Sequence, residues 1–262
     1  MYLVEVFFKQ LPSYQGDMNA AYQAINKLID EWRYNGQIIG REISLYVAKQ
    51  EDTEGFGMRA VCPEQHSLLP EWNNQFVDKA LEKVENLGLW LDNLQIIAED
   101  LNAEITCTEK PSWQMLYTSF VQSCSPLHSG DTLAPIPLYK QLKDVPHLAK
   151  DIIKWQENWQ AYDQLQMNAA ALEKLALAEI SHVDTRLFKH GYALRQQIEE
   201  VSGIPTYYYL YRVGGEDLAT EENRHCPLCQ KPWKLQQNLF GVFDFKCDHC
   251  RLLSNIAWDV QS

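Results

Sequence analysis

The stretch Cys226-Pro227-Leu228-Cys229, followed after seventeen residues by Cys247-Asp248-His249-Cys250, decides the fold of the C-terminal part of the chain. Two cysteines three positions apart can turn both sulfurs onto one ion from a single tight turn, and two such turns complete a tetrahedron. A pair of C-x2-C motifs about 15–20 residues apart is the sequence pattern of a zinc ribbon. Because four thiolates fill the coordination shell of zinc, the pattern predicts one structural Zn²⁺ on Cys226, Cys229, Cys247 and Cys250.

Two other chemistries suit the same spacing: a pair of disulfides and a rubredoxin-like iron centre. The remaining cysteines, Cys62, Cys107 and Cys124, are scattered singly along the chain. Isolated cysteines are typical of a reducing compartment, where disulfides are rare, and they are commonly small buried hydrophobes. This context favours zinc.

Four residues beside the cysteines carry further expectations. His225 and His249 adjoin better ligands, so we predict that they are surface groups or contact the ligands without binding the ion. Gln230 and Arg251 directly follow the second cysteine of each pair, where a positive φ is often required and glycine is common. We therefore expect these two turns to be strained or differently shaped.

Alternating hydrophobicity between the two motifs predicts a β-hairpin. Its strands are Trp233–Leu235 and Phe240–Lys246, and its tip is Gln236–Asn238. A third strand is predicted from Leu252 to Val260, where one face is mostly apolar. Because so small a ribbon has little core, we expect metal binding and folding to be one event and chelation to unfold it.

Length and composition indicate a globular protein with more than one part. The 262 residues, 46% of them hydrophobic, suggest one large or two modest domains beside the ribbon. No stretch approaches the length of a membrane-spanning segment, and residues 1–5 lack the basic start of a signal peptide. We therefore predict a cytoplasmic protein that has no membrane partner.

Charge is distributed unevenly along the chain, whose formal net charge is −12. From Arg224 onward there are five basic and three acidic side chains, which leaves 18 basic and 32 acidic residues before it. The body is therefore acidic and the ribbon nearly neutral. Nucleic-acid-binding domains usually carry a basic patch or stripe, and the sequence does not supply one.

Residues 1–122 alternate between strand-like and helix-like patterns. The predicted elements are a strand over residues 1–10, a helix from Asp17 to Trp32, a hairpin of Glu42–Ala48 and Phe56–Cys62, a helix from Trp72 to Leu87, and strands at Leu94–Ala98 and Trp113–Phe120. Strand, helix, strand, strand, helix, strand is the order of ferredoxin-like domains. The fold class is therefore predicted as α+β, with a ferredoxin-like βαββαβ domain at residues 1–122, an assignment that carries no activity with it.

Serine, proline and glycine punctuate the next segment, so residues 123–145 are predicted to be a linker or an ordered loop. Cys124, His128 and Asp131 in this segment are the chain's nearest approach to a thiol, imidazole and carboxylate set. An enzyme with its pocket near this loop is one hypothesis. Spacing alone establishes no catalytic geometry, and a solvated turn is the favoured interpretation.

Residues 146–203 read as an antiparallel helical pair. Pro146 suits the first helical position, and the apolar phase blurs at Gln166–Ala170, where we place the turn between the two helices. Trp155 and Trp159 lie four apart and are interpreted as core residues in preference to a base-stacking platform. Glycine and proline at Ser202–Pro205 end the pair.

Residues 204–262 are predicted to contain one strand and then the ribbon. The strand is Thr206–Val213, whose tyrosines could stack on bases but more simply pack against a layer on each side. Gly214 and Gly215, with acidic residues that include Glu221, are predicted to form a solvated hinge.

Three segments together resemble a known family. Residues 155–160 (WQENWQ), residues 204–212 (IPTYYYLYR) and the four-cysteine ribbon resemble an uncharacterised bacterial family described as containing a zinc ribbon and as candidates for nucleic-acid binding. The resemblance spans the whole chain. It implies zinc on the four cysteines and offers no catalytic residues.

Two hypotheses of binding function stand beside the enzyme hypothesis. In the first, the ribbon binds nucleic acid and its cations contact phosphates, namely Lys231, Lys234, Lys246 and Arg251. In the second, the acidic body docks a basic protein partner. The resemblance favours the first hypothesis and the net charge favours the second.

Overall fold

The computed structural model describes residues 1–50, 52–168 and 171–260. Contacts divide the chain into two compact units. The first unit consists of Met1–Thr108, Ser123–Ser125 and Ala134–Lys150, and the second of Glu109–Gln122, Pro126–Leu133 and the chain from Asp151 onward. None of the helices in the described ranges is both long enough and apolar enough to span a bilayer.

The helices and strands are, in chain order, β1 (Tyr2–Gln10), α1 (Met18–Asn35), β2 (Leu45–Gln50), β3 (Thr53–Cys62), α2 (Gln75–Asn86), β4 (Leu89–Glu99), β5 (Gln114–Leu116), β6 (Leu127–Ser129), α3 (Leu138–Leu142), α4 (Pro146–Met167), α5 (Glu173–Ser181), α6 (Arg186–Ser202), β7 (Thr206–Leu210), α7 (Leu218–Glu222), β8 (Lys234–Leu239), β9 (Phe243–Cys247) and β10 (Leu252–Ser254). The chain is therefore of mixed α+β class, as predicted. A single 3-10 turn at Pro70–Trp72 precedes α2.

The first unit contains a four-stranded sheet in the order β2-β3-β1-β4, with every neighbouring pair antiparallel. Asp17 caps the N-terminus of α1, because its carboxylate accepts a hydrogen bond from the N–H of Ala20 at 2.9 Å. The apolar faces of α1 and α2 pack with one face of the sheet into a core that includes Ile25, Trp32 and Val84. Burying each such side chain contributes about 1.5–3 kcal/mol, so these faces hold the unit together.

The second unit contains a six-stranded sheet in the order β6-β5-β7-β10-β9-β8. The neighbours β5, β7 and β10 are parallel, whereas the outer pairs are antiparallel. Trp155 and Trp159 are each 1% exposed, which confirms that they are core residues. Tyr208 of β7 lies edge-on to Trp155 and to Phe188, with ring centroids 5.7 and 5.1 Å apart.

The strand predicted at Trp113–Phe120 is shorter than expected and lies in the second sheet. As β5 it pairs in parallel with β7, and the side chain of Gln114 donates to Thr206 Oγ1 at 3.1 Å. Residues 109–122 therefore belong to the second unit, which differs from the predicted boundary at residue 122. The segment 123–145 contributes to both units and contains β6 and α3, so it is ordered.

Among the residues described between 146 and 203 there are three helices, α4, α5 and α6, where two were predicted. A break between α5 and α6 occurs without glycine or proline because Thr185 caps α6, accepting from the N–H of Phe188 at 3.3 Å and donating to the carbonyl of Glu179 at 3.0 Å. The turn predicted at Gln166–Ala170 follows the end of α4 at Met167, and residues 169–170 lie outside the described residues.

The hairpin tip and the third strand of the ribbon also lie at residues other than those predicted. Gln236–Asn238, the predicted tip, lies within β8, and the tip is instead Phe240–Gly241 with φ angles of 58° and 71°. Two successive positive φ angles are the signature of the tight hairpin turn whose twist matches antiparallel strands. The third ribbon strand is β10, which ends at Ser254 and does not continue to Val260.

Candidate metal centre

The four cysteines of the two C-x2-C motifs converge on one point. Their Sγ atoms all lie within 4.8 Å of one another, and Cys229 Sγ is 3.7 Å from Cys247 Sγ. A tetrahedron with Zn–S bonds of about 2.3 Å has edges of roughly 3.8 Å, so the sulfurs are spaced to share one ion. All seven cysteines are free thiols. In the described ranges this is the sole grouping of three or more His, Cys, Asp or Glu side chains able to hold a metal.

The first cysteine turn, at Cys226–Gln230, is closed by backbone hydrogen bonds. The N–H of Gln230 donates to the carbonyl of Cys226 at 2.8 Å, and the N–H of Cys226 donates to the carbonyl of Lys231 at 2.9 Å. Gln230 has a φ of 57°, as its position after the second cysteine predicted. The left-handed conformation costs a residue other than glycine roughly 1–2 kcal/mol, so other interactions of the turn must offset this conformational energy.

The second cysteine turn joins β9 to β10. Cys247 ends β9 and pairs with Leu252 of β10, which leaves Cys250 in the connecting turn. The N–H of Cys250 donates to Cys247 Sγ at 3.4 Å, and Arg251 has a φ of 53°. Both turns therefore have the left-handed residue expected after the second cysteine.

The polypeptide perturbs the thiols in opposite directions. Burial raises the pKa of Cys226 to about 11, whereas the backbone N–H of Lys231 lowers the pKa of Cys229 to about 7. Burial also raises the pKa of Cys250. A divalent cation that binds thiolates would displace protons from this set, which is how zinc binding couples to folding in small domains.

Groups from α6 and β7 hold the second cysteine turn in place. Tyr192 of α6 donates to the carbonyl of Cys250 at 2.8 Å. Tyr207 of β7 donates to Asp248 Oδ1 at 2.6 Å and accepts from Arg251 Nη1 at 3.1 Å. Hydrogen-bonded groups around metal ligands fix the orientation of those ligands. Sequence reasoning did not find Tyr192, because nothing in its spacing points to the ribbon.

The predicted phosphate-contacting cations differ in their surroundings. Lys246 pairs with Asp248 at 3.0 Å and lies over the rings of Trp113 and Tyr207, 4.7 and 4.8 Å from their centroids. Arg251 also lies over Tyr207, so the structure brings these two cations together at one ring. The guanidinium of Arg251 is 3.6 Å from the carboxylate of Glu199 on α6.

The other two cations lie away from that ring contact. Lys234 forms an ion pair with Glu222. Lys231 is exposed and has no ion-pair partner among the residues that the structure describes. Thus carboxylates already pair with three of the four predicted cations. His225 and His249 are both exposed and lie outside the four-thiol group.

A buried carboxylate, Glu221, ties the start of the ribbon to the segment after β7. Its oxygens pair with Arg212 Nη2 at 2.6 Å and with Arg224 Nε at 2.9 Å. The N–H of Ala257 donates to the same carboxylate at 3.2 Å. Glu221 is fully buried, so the prediction of a solvated hinge is wrong at this residue. The carboxylate can be buried because two arginines and a backbone N–H compensate its charge.

The thiol of Cys124 and the imidazole of His128 in the 123–145 segment are both buried, and burial disfavours their charged forms. Burial raises the pKa of Cys124 to about 12 and lowers the pKa of His128 to about 4. The carboxylate of Asp131 accepts a hydrogen bond from the N–H of Ser112 at 2.6 Å. A protonated thiol is a poor nucleophile, so Cys124 behaves as a buried hydrophobe.

Comparisons with known proteins place the chain among uncharacterised relatives. Three family models, each described as a domain of unknown function, match consecutive segments: DUF8589 at residues 1–98, DUF2310 at residues 108–211 and DUF8594 at residues 215–260. The third match contains the four cysteines. No solved structure matches the chain.

Two proteins of Haemophilus influenzae, both named as uncharacterized proteins, resemble the chain closely. One is 54% identical over 260 residues and covers 99% of both chains. Another is 52% identical over 200 residues, which is 76% of this chain and 94% of that protein. The chain therefore belongs to the same protein family as these two Haemophilus influenzae proteins.

Proposed function

We propose that the chain is a zinc-ribbon binding protein whose C-terminal ribbon is organised by one structural, non-catalytic Zn²⁺. The convergence of four Sγ atoms within 4.8 Å carries this proposal. Zinc accepts four thiolates tetrahedrally and would leave no open position for a substrate. The N–H groups directed at Cys226, Cys229 and Cys247 support the thiolate form that a metal requires.

We propose nucleic acid as the ligand, contacted by Lys231, Lys234, Lys246 and Arg251. The cluster of Lys246 and Arg251 on the ring of Tyr207, with Trp113 beside it, supports this assignment because cations and aromatic rings together suit phosphates and bases. The family resemblance of the ribbon supports it as well. A phosphate would have to exchange places with the carboxylates of Asp248 and Glu199.

Fluorescence anisotropy of labelled single-stranded RNA and DNA across a salt series tests this ligand. We expect binding that weakens steeply with salt and that is lost in Cys226→Ser, because phosphate contacts release counterions and depend on an ordered ribbon. A Lys246→Gln, Arg251→Gln variant should bind more weakly. The matched control is Lys154→Gln, Lys189→Gln, which removes the same charge from exposed helical positions. Absence of binding at low salt would exclude nucleic acid.

A basic protein partner is the second candidate function. It is favoured because carboxylates already pair with three of the four ribbon cations and because the net charge is −12. An acidic surface attracts basic proteins and repels polyanions. Co-purification of a partner that survives nuclease treatment would support this candidate, whereas recovery of the chain alone from a gentle purification would count against it.

Two further assignments complete the proposal. We assign the first unit to the ferredoxin-like type, which its strand, helix, strand, strand, helix, strand order and antiparallel sheet support. We also propose a cytoplasmic location, since a reducing compartment keeps four thiols available for a metal.

A further inference from the structure

The first unit contains a cavity of about 330 Å³ whose lining is strongly basic. The cavity lies between α1, α2 and the first turn of α4. Its charged lining consists of Lys27, Lys79, Lys83 and Lys150 against a single carboxylate, Glu31. A site of this size is within the range of small-molecule pockets. Such a concentration of lysine is unexpected in a chain of net charge −12.

The single carboxylate does not neutralise the cavity. Glu31 is 7% exposed and is paired with Lys27, one turn earlier on α1. Its hydrogen bond raises the pKa of Lys27, which keeps that ammonium charged. The charge of Glu31 is therefore compensated locally, and three lysines remain to give the cavity its positive potential.

Those three lysines have no ion-pair partner among the residues that the structure describes. Lys79 and Lys83 are both exposed and lie four residues apart on α2, an arrangement in which like charges repel. Elsewhere in the same unit Lys9 pairs with Asp92 at 2.5 Å and Lys140 pairs with Glu64 at 2.6 Å. The cavity therefore gathers unpaired cations in a unit that pairs lysines elsewhere.

Aromatic rings hold part of this lining in place. The ammonium of Lys150 lies over the ring of Tyr34, 4.6 Å from its centroid. The ring of His147 packs edge-on to Phe76, with centroids 5.2 Å apart. Cation–π contacts restrict the lysine before any ligand arrives, which lowers the entropy that binding would cost. The ring of Tyr34 also lies under the guanidinium of Arg33, 4.4 Å from the ring centroid, so Phe76 provides the apolar ring next to the cations.

We propose that this cavity binds a phosphate-bearing small molecule of about nucleotide size. Lysine ammonium groups act as compact point charges toward phosphate oxygens, whereas planar carboxylate recognition favours arginine. The positive end of the α4 dipole, at Pro146, adds to the same potential. The ring of Phe76 would contact the organic part of the ligand. The site is separate from the zinc ribbon and does not depend on its function.

Isothermal titration of the zinc-loaded, full-length protein with ATP, pyrophosphate and adenosine at low salt tests the proposal. We expect ATP to bind, with heat that disappears as salt rises, and adenosine not to bind. A further titration with ADP, which has the same number of phosphates as pyrophosphate, tests the organic part. Tighter binding of ADP than of pyrophosphate would assign the organic part to the ring of Phe76, and equal binding would assign recognition to phosphate alone.

Paired variants distinguish this cavity from general electrostatic attraction. A Lys79→Gln, Lys83→Gln variant should weaken ATP binding at least about tenfold, because it removes two charges that face the ligand. A Lys79→Arg, Lys83→Arg variant should retain binding, as should the charge-matched control Lys154→Gln, Lys189→Gln. Both α2 lysines are exposed, so zinc content and the unfolding temperature should stay unchanged and show that the fold is intact.

Three results would overturn the proposal. These are the absence of ATP and pyrophosphate binding at millimolar concentration, an equal loss of binding in the charge-matched control, and binding of an RNA oligomer without binding of ATP or pyrophosphate. None of them bears on zinc content, so failure here is distinguishable from failure of the metal proposal.

Discussion

At the scale of single residues, the ribbon depends on one buried carboxylate. Glu221 accepts hydrogen bonds from Arg212 and from the N–H of Ala257, and its carboxylate forms an ion pair with Arg224 at 2.9 Å. Removing one partner of a buried ion pair is far more damaging than replacing the whole set, because it leaves charge without compensation in the interior.

We predict that Glu221→Gln lowers the free energy of unfolding of the zinc-loaded protein by roughly 3–5 kcal/mol, since two arginines lose their counter-charge. Urea denaturation measures the loss. Glu222→Gln is the control, because that exposed neighbour makes a surface pair with Lys234 and should change stability by less than about 1 kcal/mol. Equal effects of the two substitutions would contradict the role assigned to Glu221.

The same carboxylate gives an expected pH dependence. Burial acts to raise the pKa of Glu221, but the hydrogen bonds from Arg212 and from the N–H of Ala257, together with the charges of Arg224 and Arg212, outweigh it and lower the pKa overall. A depressed folded pKa stabilises the fold above the unfolded value and loses that effect as pH falls through the folded value. The stability difference between the wild type and Glu221→Gln should therefore shrink below the ordinary carboxyl pKa of 4.5.

His128 gives a second, separable pH effect. Burial lowers the pKa of His128 from 6.5 to about 4, so between these values the unfolded chain binds a proton that the folded chain does not. Stability from this residue is complete above the unfolded pKa and is lost as pH falls, by at most about 3 kcal/mol. The wild type should lose more stability than His128→Gln between neutral pH and pH 5, measured by urea denaturation. Parallel pH profiles would contradict this account.

The sequence indicated some residues of the candidate metal centre and its surroundings but not others. The grouping of the four cysteines and the left-handed conformations of Gln230 and Arg251 follow from local spacing, because two cysteines three positions apart require a tight turn of the backbone. Glu221 does not, because its neighbours Glu216, Asp217 and Glu222 make the segment look solvated. Tyr192 and Glu199 contact the ribbon only through the packing of α6, which local sequence does not reveal.

At the scale of elements, α6 packs closely against the rings of Trp155 and Tyr208 at Gly191. A Cβ built on Gly191 would lie 2.3 Å from Trp155 Nε1 and 2.5 Å from Tyr208 Cε2. Glycine within a helix normally reduces stability relative to alanine by roughly 0.5–1 kcal/mol. At position 191 close packing makes glycine the more stable residue, because the rings of Trp155 and Tyr208 are buried and leave no room for a Cβ.

We predict that Gly191→Ala destabilises the protein by about 1–3 kcal/mol, as overpacking does, although alanine is the better helix former. Thermal unfolding measures the change. Lys189→Ala, at an exposed position of the same helix, should change stability by no more than about 0.5 kcal/mol. Stabilisation by Gly191→Ala would show that α6 can move away from Trp155.

Element types were predictable where periodicity was strong, as in α1, α2 and β1. The break between α5 and α6 was not, because a side-chain cap by Thr185 replaced the usual glycine or proline. The hairpin tip also lies at residues other than those predicted. Polar residues suggested Gln236–Asn238, but the positive φ angles at Phe240 and Gly241 determine where the chain reverses.

At the scale of the whole molecule, the ribbon is part of a larger sheet. β10 pairs in parallel with β7, with Leu253 opposite Tyr209, so the ribbon strands continue the sheet formed by β5, β6 and β7. Family models divide the chain between residues 211 and 215, although the sheet of the second unit crosses that division. The sequence could not reveal these pairings, because β5 and β7 lie far apart along the chain.

Zinc removal should therefore affect more than the ribbon. We predict that chelation increases hydrogen exchange throughout β8, β9 and β10 and also in β7, which loses a sheet neighbour, while α1 and α2 keep their protection. Hydrogen exchange with mass spectrometry, with and without chelator, measures this pattern. Cys226→Ser should reproduce it without chelator. A change confined to the two cysteine turns would show that the sheet holds the ribbon without metal.

The identity and stoichiometry of the bound metal test the central claim most directly. Native mass spectrometry of the protein purified without added metal should show one zinc ion per chain, with protons displaced from the thiols, and Cys226→Ser should lose it. The protein should also lack the visible absorption of an iron–thiolate centre. Disulfides among the four cysteines, bound iron, or a metal-free chain with an intact ribbon would contradict the account.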